Sequence, residues 1–210
     1  CEAYKAAGKE DAWSALLDEE LRKATAPEAL YEIHRHKALL FQKKKRVDEA
    51  VGEWLLARES VIKGTHPYDT TRQALPYLEI GKIYLDAGMI EKAEEFLLRY
   101  LKTPYGATEA FSPVTLLGKI YESRRQFDKA KEIYAIVLDE NFGKDFVSRD
   151  NLKNLQKPIR KRLELIDMLE KLPALVEKLG DDDPTVREET RSAIRSIGKD
   201  VVPFLEQYKN

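Results

Sequence analysis

Apolar residues recur at intervals of three and four along most of the chain, with polar residues between them. The stretch from Leu78 to Leu101 shows this pattern in two blocks, which a short segment around Gly88 separates. Such spacing places apolar side chains on one face of an α-helix, and the alternating runs typical of strands are absent. The 10 glycines and 9 prolines are few and fall at intervals between the blocks. The pattern predicts an all-α protein.

Three segments share one plan of two helical blocks joined by a short turn. Each has a small residue, then an aromatic three positions later, an alanine twelve positions later and a large residue sixteen positions later. In that order the three sets are Ala38, Phe41, Ala50 and Trp54; Gly81, Tyr84, Ala93 and Leu97; and Gly118, Tyr121, Ala130 and Tyr134. Small residues let two antiparallel helices approach closely, and aromatic residues fill the space beside them. The sequence therefore predicts three helical hairpins.

This plan resembles the tetratricopeptide (TPR) repeat, whose turn glycine corresponds to Gly88 and whose closing proline falls near Pro104. The insertion KGTHPYDTTRQ makes the first spacing longer than the usual period of about 34 residues. A partial copy is predicted at the start, with Ala12 at the position of Ala50. The resemblance implies an α-solenoid of TPR hairpins over 1–139, with a partial repeat at 1–26 and repeats at about 28–64, 74–106 and 111–141.

The three consecutive aspartates Asp181–Asp183 look at first like a metal site. A calcium loop, however, needs alternating oxygen ligands, a central glycine and a distant glutamate, and this run lacks them. Asp183 is instead predicted to cap a helix that begins at Pro184. The apolar face of that helix is predicted to be Val186, Thr190, Ala193, Ile194 and Ile197. No metal is expected here.

The segment from Leu172 to Tyr208 resembles a HEAT repeat, on the pairs Asp183-Pro184, Val186-Arg187 and Ile197-Gly198. Residues 140–156 are predicted to be a linker, and 157–210 a connector helix, broken at Pro173, with a HEAT-like repeat. No further helix follows the last apolar residues. We expect them either to pack back on the connector or to form an interface with a partner; they are Val201, Phe204, Leu205 and Tyr208.

In TPR proteins the first helices of the hairpins line a concave groove that holds a partner. The resemblance implies that this groove carries Arg35, Leu39, Leu78, Lys82, Leu85, Thr115 and Lys119. Cations mixed with leucines favour an extended or helical protein segment that presents acidic and apolar residues. The alternative is that some of these side chains pack against the next repeat.

Charge and residue types narrow the classes of function. The 36 basic and 37 acidic residues give a net charge of −1, so there is no general attraction to nucleic acid, which is not an expected partner. Two basic clusters, Lys43–Arg46 and Lys157–Arg162, are predicted to be solvated helix surface, with binding of phosphate or of an acidic partner as the alternative. No zinc pattern, phosphate loop or nucleophile motif is present. Neither a cofactor nor catalysis is expected, and no apolar run is long enough to span a membrane.

Cys1 is the only cysteine, so no internal disulfide can form. A cysteine at the first position is typical of a mature bacterial lipoprotein. Lipidation of Cys1, with a periplasmic role in an envelope assembly machine, is therefore one hypothesis. The segment EAYKAAG is predicted to be helical directly after it, which favours a chain that begins within a longer protein. The compartment stays open.

These predictions favour a non-enzymatic protein–protein interaction scaffold. One version is an assembly subunit that links larger proteins into a complex or array, with self-association as an option. The architecture is similar to that of the small helical subunits that organise nitrite oxidoreductase into tubules, which implies a large enzyme complex as the partner. The other version is an adaptor that binds a peptide in the TPR groove.

Overall fold

The computed structural model describes residues 10–63, 69–142 and 149–208. The described residues are helical and contain no strand, so the prediction of an all-α chain is confirmed for them. The helices are α1 (Glu10–Lys23), α2 (Pro27–Lys43), α3 (Val47–Lys63), α4 (Thr70–Asp86), α5 (Ile90–Leu101), α6 (Pro104–Thr108), α7 (Phe111–Ser123), α8 (Phe127–Leu138), α9 (Arg149–Lys178), α10 (Pro184–Ile197) and α11 (Val202–Leu205). Short 3-10 segments, Gly198–Val201 and Glu206–Tyr208, flank α11.

The chain forms two compact units, and the division between them falls within α7. Unit 1 is Cys1–Ile120 and unit 2 is Tyr121–Asn210. In unit 1, α2 packs against α3, α3 against α4, and α4 against α5. In unit 2, α9 packs against both α8 and α10.

The three predicted hairpin turns share one backbone geometry. Lys45, Gly88 and Arg125 occupy the same position in their turns and have φ values of 57°, 73° and 56°. In each turn the following N–H donates to the carbonyl five residues earlier, from Arg46 to Phe41 (2.9 Å), from Met89 to Tyr84 (2.8 Å) and from Gln126 to Tyr121 (2.8 Å). This is the Schellman helix ending, in which a left-handed residue reverses the chain and satisfies the last carbonyls. The predicted turn glycine, Gly88, is thus confirmed.

The predicted small residues lie where helices approach closely. Ala38, Ala50, Ala93 and Ala130 are all 0% exposed. A Cβ at Gly81 would lie 2.8 Å from Cγ and Cδ2 of Leu97, so α4 and α5 approach at a distance that excludes a methyl group. The small residues in the repeat plan therefore reflect helix–helix contact in unit 1.

A hydrophobic cluster of unit 1 extends from α2 to α5. Its larger buried members are Tyr31, Val51, Trp54, Val61, Ile80, Ile83, Tyr84 and Phe96. The helix α1 packs by Trp13 and Leu17 against Leu40. Ala12 is exposed, so its predicted equivalence with the buried Ala50 is wrong. The buried face of α1 begins one position later, because Trp13 rather than Ala12 faces α2.

Two element boundaries differ from the sequence analysis. The helix α4 begins at Thr70, inside the predicted insertion, because Asp69 Oδ1 accepts a hydrogen bond from the backbone N–H of Arg72 and caps it. The helix α9 begins at Arg149, inside the predicted linker, and continues through Pro158 and Pro173 to Lys178.

The predicted break at Pro173 is therefore wrong. A proline inside a helix removes one backbone donor, and its ring crowds the carbonyl four residues earlier, so a helix that continues through it needs other stabilisation. Pro173 is exposed, whereas Leu169 and Leu172 on its N-terminal side are buried in the unit 2 core. We infer that this burial holds the helix together across the proline.

Candidate functional site

The seven residues predicted to line a groove lie on α2, α4 and α7. Among the four polar residues of the set, Lys119 is exposed, and Arg35, Lys82 and Thr115 are half-buried. The Arg35 guanidinium donates to Glu32 at 2.9 Å. In α4 the ammonium of Lys82 likewise donates to Glu79 at 2.8 Å. Two of the three predicted groove cations thus each carry a carboxylate three residues earlier, and the surface is one of mixed charge.

Thr115 and Lys119 differ in whether their polar groups are already bonded within the chain. The hydroxyl of Thr115 donates to the carbonyl of Phe111 at 2.7 Å, so its donor is used within its own helix. Lys119 makes no ion pair within the part of the chain that the structure describes, which leaves its ammonium available.

The three leucines are packed within unit 1. Leu78 is only 7% exposed. Leu39 and Leu85 are half-buried and pack against the α2–α5 core cluster. Packing within unit 1 therefore covers most of the surface of these three side chains. The groups of this set that are left for a partner are mainly polar and charged.

Unit 1 also contains a network of buried polar side chains that the sequence analysis did not predict. Glu53 of α3 accepts from His34 at 2.7 Å and pairs with Lys37 at 3.1 Å. Lys37 also pairs with Asp18 of α1 at 3.0 Å. The side chains of His34, Lys37 and Glu53 are each more than four-fifths buried, so water has little access to them. Through Asp18 the network connects three helices. No sequence motif predicts this network, because its members come from three different helices.

This network shifts the ionisation of its members. Burial would raise the pKa of Glu53, but hydrogen bonds from His34 and Lys37 outweigh it, and the pKa lies below its ordinary value. Burial would likewise lower the pKa of Lys37, yet its bonds to Asp18 and Glu53 raise it. Both groups are held in their charged forms, as a buried pair requires.

The first basic cluster is paired with α1. Lys43 forms an ion pair with Glu10, and Lys44 forms one with Asp11 at 2.9 Å. The carboxylates lie in the first turn of α1 and the cations at the end of α2. Both placements suit the helix dipoles, so these cations stabilise helix ends.

The C-terminal residues predicted to cover the connector or to meet a partner lie in unit 2. Val201 is 4% exposed within a cluster with Leu165, Leu169 and Ile194. Phe204 and Leu205 pack against the same cluster, and the Phe204 ring lies 6.0 Å from that of Phe127. Tyr208 keeps 39% of its surface exposed. Three of the four side chains thus pack within unit 2, and an interface with a partner at this segment stays a prediction.

The aspartates between α9 and α10 have local structural roles. Asp183 Oδ1 accepts the Thr185 N–H at 2.7 Å, with Pro184 at the first helical position, so the predicted cap is confirmed. The Asp181 carboxylate accepts the Asp183 N–H at 2.9 Å and shapes the turn. The predicted apolar face of α10 is buried or half-buried throughout: Val186, Thr190, Ala193, Ile194 and Ile197.

Among the described residues, no group of three or more His, Cys, Asp or Glu side chains is placed to hold a metal ion. No helix in the described ranges is both long enough and apolar enough to cross a membrane. Cys1, the residue of the lipidation hypothesis, lies outside the described residues.

The comparison with known families identifies one element. Residues 75–103, which cover most of α4 and the whole of α5, match the tetratricopeptide repeat family. No curated protein and no solved structure matches the chain. The resemblance of the C-terminal segment to HEAT repeats stays a prediction. The chain thus contains a tetratricopeptide repeat in its second hairpin, an element suited to binding other proteins.

Proposed function

We propose that this chain is a non-enzymatic protein–protein interaction scaffold and, more narrowly, an assembly subunit that links larger proteins. The observation that carries the proposal is the repeated turn at Lys45, Gly88 and Arg125. One of these turns lies inside the matched tetratricopeptide repeat, and the other two have the same hydrogen bonds. Stacked helical hairpins present extended faces, and repeat proteins use such faces to bind partners.

The chemistry of the first helices favours a large partner over a short peptide. A peptide held in a groove needs apolar anchor pockets, and Leu39, Leu78 and Leu85 are packed into unit 1 instead. The remaining groups are charged: Arg35 and Lys82 with their carboxylates, and Lys119. Their contacts with a partner would be ion pairs at the surface. Each such contact contributes only about 0–1 kcal/mol, so a stable complex needs a broad interface.

The test begins with the chain purified under mild conditions from its native cells, followed by identification of proteins present at a fixed ratio. The identified partner is then purified and titrated against wild type and against Lys82→Glu/Lys119→Glu. We expect this charge reversal to weaken binding about tenfold, equivalent to about 1.4 kcal/mol.

The matched control is Lys23→Glu/Lys102→Glu, which reverses two exposed cations elsewhere in unit 1. It changes the net charge equally and should leave the affinity unchanged. Equal binding by all three proteins would remove the first-helix face from the proposal. Purification with no partner at a fixed ratio would count against the assembly role itself.

A further inference from the structure

The helix α9 and the turn after it carry an uneven distribution of charge. Residues 149–163 contain six cations and one carboxylate, whereas residues 164–189 contain nine carboxylates and three cations. Both segments belong to unit 2, and the net charge of the whole chain is only −1.

The N-terminal half of α9 presents a basic face, which consists of Lys153, Lys157, Arg160 and Lys161. All four side chains are exposed. Arg160 donates only to the amide of Gln156, at 3.3 Å, and the three lysines make no ion pair with any residue that the structure describes. They line a shallow depression of about 450 Å³ together with Asn154, Gln156 and Glu164.

Two other cations of unit 2 form ion pairs with carboxylates. Lys131 pairs with Asp167 at 2.7 Å and with Glu170 at 2.8 Å. Arg162, which follows the basic face directly, pairs with the buried Glu122. Lys171 and Lys178, further along α9, also make no ion pair among the described residues, so what sets the basic face apart is that four such cations lie within nine residues.

Stabilisation of the helix does not account for the basic face. Asp150 in the first turn and Lys178 in the last turn already suit the helix dipole. The basic face lies further along the helix, where the effect of the dipole has faded. Lys157 has Lys153 four residues before it and Lys161 four residues after it, and like charges at this spacing destabilise a helix.

The region from the end of α9 into α10 carries carboxylates that also lack partners. We call Glu177, Asp182 and Glu189 the acidic end; all three are exposed and make no ion pair among the described residues. Lys157 and Glu177 are separated by about 30 Å along the helix axis at 1.5 Å per residue. Physiological salt screens the interaction between exposed charges that are more than about 8–10 Å apart. The two surfaces therefore cannot neutralise each other within one molecule.

We propose that the basic face of one chain binds the acidic end of a second copy of this chain. The two surfaces are complementary in charge. The basic face lies on the N-terminal half of α9, and the acidic end spans the end of α9, the following turn and α10. Contact between them is therefore head-to-tail, and each added copy leaves one of each surface unoccupied. The association goes beyond the proposed scaffold function, which concerns the first helices of unit 1, and either can fail without the other.

The test uses the complete 210-residue chain and two charge-reversed variants. One variant carries Lys153→Glu, Lys157→Glu and Lys161→Glu, and the other carries Glu177→Lys, Asp182→Lys and Glu189→Lys. Sedimentation velocity measures the weight-average mass over a range of concentrations at about 50 mM and about 0.5 M salt, where the screening length falls severalfold. Circular dichroism checks that each variant keeps the helical content of wild type.

We expect the wild-type mass at low salt to exceed the monomer's 24.2 kDa, to rise with concentration, and to return to the monomer value at high salt. Each charge-reversed variant alone should stay monomeric. An equimolar mixture of the two should associate again, because each reversed surface then meets its complement. A control that reverses Lys23, Lys92 and Lys102, which are exposed in unit 1, should associate like wild type.

Three outcomes would overturn the proposal. The first is a wild-type chain that is monomeric at low salt, and the second is a Lys153, Lys157 and Lys161 variant that associates as wild type does. The third is a mixture of the two variants that stays monomeric. A monomeric wild type that binds polyglutamate or RNA through these lysines would also overturn it and would assign the basic face to another polyanion.

Discussion

The left-handed turn residues lead to a prediction about two glycines that undergo the same change with opposite effects. Gly52 lies inside α3, and Gly88 is the left-handed residue of the second turn, with φ of 73°. An added Cβ would meet no atom within 4 Å at either position. Replacement by alanine therefore introduces no steric clash at either site and tests the backbone alone.

The two magnitudes follow from backbone conformation. Alanine is favoured over glycine by about 1 kcal/mol inside a helix, so Gly52→Ala should raise the free energy of unfolding by that amount. At Gly88 a left-handed alanine costs about 1–2 kcal/mol. The loss of glycine's extra freedom in the unfolded chain returns about 0.5–1 kcal/mol. Gly88→Ala should therefore lower the free energy of unfolding by about 0.5–1 kcal/mol.

The assay is guanidinium unfolding followed by tryptophan fluorescence. The chain has 2 tryptophans, Trp13 and Trp54, and both are buried in unit 1, so their emission reports unfolding of the unit that contains both glycines. A change in midpoint at constant m-value measures the stability difference. If Gly88→Ala stabilises unit 1 as Gly52→Ala does, the left-handed conformation does not control this turn.

Three further changes test the same reasoning by the same assay. Lys45→Gly should raise the free energy of unfolding by about 0.5–1 kcal/mol, because it relieves a left-handed side chain; a loss of stability would contradict this. Gly81→Ala should lower it by about 1 kcal/mol, since overpacking against Leu97 at 2.8 Å outweighs the helix gain, and an unchanged midpoint would disprove the close approach. Glu53 has a lowered pKa, so its stabilisation is complete above its ordinary value of 4.5 and is lost as pH falls through the folded value. Between about pH 6 and 3 wild type should therefore lose more stability than Glu53→Gln, whereas Glu20→Gln, which changes an exposed carboxylate, should behave like wild type.

Repetition made the hairpins predictable. The small and aromatic positions of the plan recur three times, and a repeated pattern is a stronger signal than the helix propensity of any one segment. Local preference alone fails at two of the three turns, where Lys45 and Arg125 occupy the position that Gly88 holds. Alignment with Gly88 identifies them, because hairpins of equal length place the left-handed residue at the same point.

Packing between helices was less predictable than the helices themselves. The groove assignment by alignment did not distinguish Leu39 and Leu85, which pack into the unit 1 core, from Lys82 and Lys119, which keep surface exposure. The periodicity of one helix shows which face is apolar but not which neighbour covers it. The continuity of α9 across Pro173 also depends on tertiary burial that no local signal records.

The buried carboxylate of Glu122 shows where the repeat plan gives way to a specific contact. It is 3% exposed, and Gln42 and Leu85 hold the same position in the other two hairpins. Glu122 accepts from the Tyr134 hydroxyl at 2.6 Å, and burial raises the pKa of Tyr134 to about 12, so that hydroxyl remains a donor. The second partner is Arg162, which reaches it from α9 and forms the charge pair that a buried carboxylate requires.

This pair fixes how α9 is turned within unit 2. Arg162 belongs to a run of cations that the sequence alone treats as equivalent, yet only Arg162 pairs with a buried carboxylate. With Arg162 held against Glu122, Lys157, Arg160 and Lys161 lie exposed on α9. The same ion pair that anchors the helix therefore leaves its neighbouring cations in solvent, which is the condition that an intermolecular contact through the basic face needs.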